Sequence, residues 1–174
     1  MSEVLASVHG QLQFAEAKNG ALFAVNVALV GGVGAILAAD DVGYEFVRFC
    51  LTLATFGLGG AALITLASFL PIRGPRRHEF AKGSADTGGN LFYWQTIAEY
   101  LPEDYASTFL EACEVRDKPS RLHLDLANQV VINAGIAGRK FGLFELAGWV
   151  TLTTVVASLV ILAGLFAGNG FHLK

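Results

Sequence analysis

The residues able to do chemistry gather on one periodic stretch. After Pro119, Asp125, Gln129, Asn133, Ile136 and Lys140 recur at spacings of 4, 4, 3 and 4. A period near 3.6 puts them on one face of a helix. A carboxylate, two amides and an ammonium offer donors and acceptors to a small polar ligand. Arg139, next to Lys140, adds a second cation for an anionic group. The plain alternative is a solvated helix face. A second polar junction lies near the start, in "FAEAKNGALFAVNVALVGG". Glu16 and Lys18 stand at the mouth of an uncharged run, Asn19 to Ala39, and Asn26 sits inside it. Glu16 is placed to neutralise one of the lysines. Asn26 is placed to bond across helices or to line a pore.

Other chemistries find little support. His9, His78, His123 and His172 share no motif, and no apolar run holds a Ser/His/Asp set or paired carboxylates. No catalytic residue is therefore expected, nor a metal site or a cofactor. Cys50 and Cys113 are far apart, one opening an apolar run and one in a polar region, so no disulfide is expected. A net charge of −3 argues against a nucleic-acid polymer as partner.

The elements that must position these residues are apolar. Hydrophobic residues make up 53% of the 174 and charged ones 16%, against about 25% in ordinary soluble domains. The mean hydropathy of +0.51 agrees. Crossing a bilayer takes about 20 mostly apolar residues in a helix. Three stretches qualify: 19–39, 49–72 and 146–168. The sequence thus predicts an all-α membrane protein with three transmembrane helices and a helical cytoplasmic region, residues 73–140. No secretory signal is read at the N-terminus, where residues 1–18 form a cytoplasmic amphipathic helix. Arg73, Arg76, Arg77 and Lys82 follow the second span, and Arg116, Lys118, Arg121, Arg139 and Lys140 precede the third. The loop 40–48 is acidic instead. The excess of basic residues places the middle segment and the N-terminus in the cytoplasm and the tail, 169–174, outside.

Within the cytoplasmic part, Val4, Leu5, Val8, Leu12 and Ala15 form a stripe needing a partner. The Gly- and Pro-rich stretch Arg73 to Asn90 reads as a loop, and its arginines serve as headgroup anchors or an anion site. "LFYWQTIAEYL" reads as core-packed aromatic material. Pro102 with Glu103 and Asp104 starts a helix that puts Tyr105, Phe109 and Cys113 on one face. Ser120 caps the next helix. Glycines 31, 32, 34, 57, 59 and 60, and the pair Gly164 and Gly168, suit close helix packing, within the chain or between subunits.

Three motifs together carry a likeness. "AEAKNGALFAVNVALVGG", "YLPEDYASTFLEA" and "NQVVINAGIAGRKFGLFELAGWV" resemble, in order and spacing, the motifs of the bacterial Pycsar transmembrane effectors. The resemblance marks Lys18 and Asn26 in the first motif, Tyr105 in the second, and Gln129, Asn133, Lys140 and Phe141 in the third. It implies a bacterial inner-membrane protein of anti-phage defence. A partner cyclase would make a cyclic pyrimidine mononucleotide, cCMP or cUMP; the effector would bind it and then disrupt the membrane, aborting infection. Lys18, Tyr105, Gln129, Asn133, Arg139 and Lys140 are the expected nucleotide-binding residues. Asn26 is the expected membrane or pore residue. One chain has too few helices to line a pore, so a homo-oligomer in contact with lipid is expected. The competing readings are a membrane effector gated by a different nucleotide messenger and a ligand-free structural membrane protein.

Overall fold

The computed structural model describes residues 1–39, 45–70 and 89–169, with side chains as far as 164. The described residues form five helices and no strand: α1 (Ser2–Ala38), α2 (Glu45–Ala67), α3 (Trp94–Ala98), α4 (Pro102–Ala112) and α5 (Arg121–Asn169). The all-α expectation holds, with three helices long and apolar enough to cross a membrane: α1, α2 and α5. The chain divides into two compact units. Unit 1 is Met1–Ala17 with Leu70–Gly142, and unit 2 is Lys18–Phe69 with Leu143–Lys174. The cause is written in α1 and α5. Each has one half with a mixed polar and apolar face and another that is apolar almost throughout, and the two kinds of surface cannot share a core.

Unit 1 is built around the N-terminal stripe. Val4, Val8, Ile97, Tyr100, Tyr105, Ala106, Ala127, Val130 and Ala134 form its buried core, with Leu5, Leu91, Trp94, Phe109 and Leu124 packed against it. Burying each large member stabilises the unit by about 1.5–3 kcal/mol. The stripe on α1 thus finds its partners on α3, α4 and the first turns of α5. α4 starts as its sequence dictates, with Pro102 in the first turn and Glu103 and Asp104 at the positive end of the helix dipole. It ends in a Schellman motif: Glu114 N donates to Glu111 O (2.9 Å) and Val115 N to Leu110 O (3.0 Å). The left-handed position of that motif, φ 58°, is filled by Glu114 where glycine is usual. Ser120 starts α5, its carbonyl accepting from Leu124 N (3.1 Å) and its Oγ from His123 N (3.4 Å).

Unit 2 is inverted relative to a soluble core. Phe49, Phe56, Leu63, Trp149, Leu159 and Val160 are all more than half exposed, while Ala54, Ala61, Ala62 and Ala147 are buried. Small residues inside and large apolar ones outside is the pattern of helices that meet lipid. Hydroxyls there bond to their own helix: Thr52 to Arg48 O, Thr65 to Ala62 O, Thr153 to Trp149 O and Ser158 to Thr154 O. α2 carries Glu45 in its first turn, at the positive end of its dipole, and ends at Ala67. There Ser68 Oγ donates to Thr65 O (2.7 Å) and the chain turns. Of the expected close-packing glycines, Gly57 meets another helix closely: an added Cβ would lie 2.5 Å from Thr154 Oγ1 on α5. Glycines 31, 32, 34, 59, 60 and 164 have no such neighbour within the described residues. Residues 40–44, Arg73, Arg76, Arg77 and Lys82 lie outside the described residues.

Candidate functional site

The polar face read from sequence lies on the part of α5 that belongs to unit 1. Gln129 and Arg139 are exposed, Asn133 is half-buried, and Lys140 is buried. The Lys140 ammonium donates to Glu16 Oε1 at 2.8 Å. Only 11% of the lysine side chain is exposed, against 46% for Glu16, so water solvates the carboxylate end of the pair far better than the ammonium end. The carboxylate at the opening junction therefore neutralises Lys140. The pair ties α1 to α5 across a sequence separation of 124 residues. Next to it Phe141 stacks on Trp94, with centroids 5.2 Å apart and planes at 21°. Gly138 makes room for that indole, since an added Cβ would come within 2.8 Å of Trp94 Cζ3.

Tyr105 stands apart from this face. It is fully buried in the unit 1 core, edge-on to Tyr100 and beside Phe109. Its hydroxyl donates to Leu91 O at 2.9 Å. Burial, with lesser contributions from Tyr100 and Cys113, pushes its pKa from 10.0 up to about 12. Tyr105 is thus positioned by, and spent on, the interior, where no ring face is open for a base. The short α3 that closes this core carries Ile97; of the stretch around it, expected to be core-packed, Leu91, Trp94 and Tyr100 pack inward while Phe92 and Tyr93 are exposed.

Lys18 and Asn26 belong to unit 2. The Lys18 ammonium lies over the Phe144 ring, 5.5 Å from its centroid. Asn26 is fully buried. Its Nδ2 donates to Leu22 O (3.0 Å), and its Oδ1 accepts from Thr151 Oγ1 on α5 (3.0 Å). The single Thr151 proton is shared with Ala147 O (2.8 Å). In this structure Asn26 bonds across helices. Thr151 and Phe144 escaped the sequence reading because a threonine or phenylalanine in an apolar run carries no signal of its own.

Two clefts on unit 1 are lined by described residues. The wider, about 630 Å³, lies at the C-terminal, negative end of the α4 dipole, with three carboxylates, Glu111, Glu114 and Asp117, against one guanidinium, Arg116, and both features disfavour an anion. The other, about 440 Å³, lies between the start of α4 and the first turns of α5, with Glu103, Arg121, Asp125 and Asn128 over an apolar floor of Leu101, Pro102 and Leu124. Arg121 and Asn128 were legible: they precede and follow Asp125 by four and three residues, and so share its face. Among the described residues no group of three side chains is arranged to hold a metal ion. Cys50 and Cys113 are both free.

Comparison with known proteins gives this geometry its context. Residues 1–168 match the family model described as the Pycsar effector protein domain. The chain is 32% identical over 147 residues to Pycsar effector protein RsPycTM of a Rhizobium species, covering 80% of this chain and 79% of that one. No solved structure matches. A match along nearly the whole chain, joined to three helices fit to span a bilayer, shows that the protein belongs to the Pycsar effector family of anti-phage membrane effectors.

Proposed function

We propose that this effector binds a cyclic pyrimidine mononucleotide, cCMP or cUMP, supplied by a partner cyclase, and then disrupts the bacterial inner membrane to abort infection. The family assignment supplies the defence role. The observation that carries the ligand reading is the polar face of α5, from Asp125 to Lys140, on a helix whose later turns form an apolar span. That face carries carboxylate, amide and cationic groups of the kind that suit a base edge and a phosphate. The Glu16–Lys140 pair joins this helix to α1, whose later turns also form an apolar span. A ligand that favours one arrangement of these helices over another shifts the population between them, and only by its differential affinity. The middle segment and N-terminus lie in the cytoplasm and the C-terminus outside. Several copies assemble, because three spans line no pore alone.

Calorimetry on detergent-purified protein tests the reading, with cCMP and cUMP as ligands and 3′,5′-cAMP and a cyclic dinucleotide as controls. Micromolar or tighter binding of a cyclic pyrimidine, with silence from the controls, is expected. Binding of the cyclic dinucleotide alone would move the effector to another signalling system. Silence from all four, with folded protein, would leave a ligand-free membrane protein.

A further inference from the structure

The polar groups named so far are largely committed in the structure. Lys140 is paired with Glu16, Tyr105 with the Leu91 carbonyl, Asn26 with Thr151, and Lys18 lies on Phe144. The cleft between α4 and α5 differs. Among the described residues, no hydrogen bond or ion pair engages the side chains of Glu103, Arg121, Asp125 or Asn128. Four uncommitted polar groups thus converge over Leu101, Pro102 and Leu124 in a space of about 440 Å³. That is the size and make-up of a small-molecule site: an apolar floor with a few polar groups to fix orientation.

Their chemistry narrows the ligand. Arg121 is a fork for a phosphate. α4 and α5 both begin at this cleft, Pro102 and Arg121 being their first residues, so the positive ends of two helix dipoles add to the attraction for an anion. Glu103 and Asp125 are acceptors only, and they repel an anion that brings them no donor. An exocyclic amine carries two N–H donors, one for each carboxylate. This is how a carboxylate reads the N4 amine of cytosine, whereas uracil presents an oxygen there. Asn128 has an amide left for the ring edge. The carboxylates therefore act by exclusion as much as by attraction.

We propose that the cyclic nucleotide sits in this cleft, its phosphate on Arg121 and its base amine on Asp125 and Glu103, which makes the effector selective for cytosine over uracil. The inference rests on the cyclic-pyrimidine reading above and goes beyond it by naming the pocket and the base. It places the ligand at the N-terminal end of the polar face of α5, with Gln129 beside it. Lys140, at the other end, is a positioning residue that holds α5 to α1.

Titration of the full-length protein in detergent with cCMP and cUMP tests this. The panel is wild type, Arg121→Ala and Asp125→Asn, all at exposed positions and each checked by helical circular dichroism. Wild type is expected to bind cCMP at least about tenfold more tightly than cUMP, the scale of one lost hydrogen-bonded contact. Arg121→Ala should weaken both ligands at least about tenfold. Asp125→Asn should weaken cCMP and leave cUMP unchanged or improved, reducing the preference. Cyclic-pyrimidine binding that neither substitution alters would overturn the pocket while leaving the ligand reading intact. A preference for cUMP would overturn the selection by carboxylates. Absence of any cyclic-pyrimidine binding by folded wild type would remove the inference together with the reading beneath it.

Discussion

Two tyrosines five residues apart do opposite things in the unit 1 core. The Tyr105 hydroxyl has an acceptor in Leu91 O, whereas the Tyr100 hydroxyl is buried with no partner among the described residues. Tyr105→Phe strands a carbonyl and should cost about 1–3 kcal/mol, while Tyr100→Phe removes an unsatisfied donor and should be neutral or stabilising. Thermal unfolding of the two variants in detergent checks the contrast. The raised pKa of Tyr105 also sets a pH dependence. Between pH 10 and about 12 the unfolded chain loses this proton and the folded one keeps it. The stabilising contribution is full below pH 10 and is lost as pH climbs through that window. Tyr105→Phe should flatten this part of the melting curve against pH. The salt bridge predicts a second asymmetry. Glu16→Ala takes its carboxylate partner from a largely buried ammonium and should cost about 2 kcal/mol, reduced from the fully buried case by the exposure of Glu16. Lys140→Met leaves a carboxylate that water can reach and should cost less, and Glu16→Ala added to it should cost almost nothing more. At this scale the sequence showed that Glu16 stood near lysines. Which lysine it would choose depended on the rotation of α1 against α5, and no local pattern encodes that.

Helices were the most legible features, because each start and stop has a local cause. Pro102 with its acids, Ser120 before Arg121 and the stripe from Val4 to Ala15 all behave as their chemistry requires. The end of α4 was not legible, since glutamate is a poor choice for a left-handed cap. Glu114 also sets its carboxylate at the negative end of the helix dipole. Glu114→Gly should therefore stabilise unit 1 by about 1 kcal/mol, read as a higher melting temperature with helical content unchanged. Tyr105 was ambiguous for a related reason. Its place on an amphipathic face fits a ligand-stacking ring and a core ring equally well, and only the packing of α3 and α4 decides. The glycines of α1 suggested a packed seam, but close approach depends on which helix face turns toward a neighbour. Gly57 on α2 has that neighbour in Thr154.

For the whole molecule, the division of α1 and α5 between two units is the feature from which a mechanism follows. Unit 1 holds the uncommitted polar groups and the salt bridge, and unit 2 exposes large apolar side chains suited to lipid. Composition and hydropathy gave the three spans. The family likeness, not the hydropathy, pointed to a cyclic nucleotide. The proposed mechanism has such a ligand make this protein breach a membrane. The direct test is dye release from sealed proteoliposomes of bacterial lipid carrying the full-length protein, before and after adding cCMP or cUMP. The expected result is no release without ligand, rapid release with a cyclic pyrimidine, none with 3′,5′-cAMP, and loss of the response in Lys140→Ala that is still inserted. Vesicles that stay sealed with bound cyclic pyrimidine, or that leak equally without it, would contradict it.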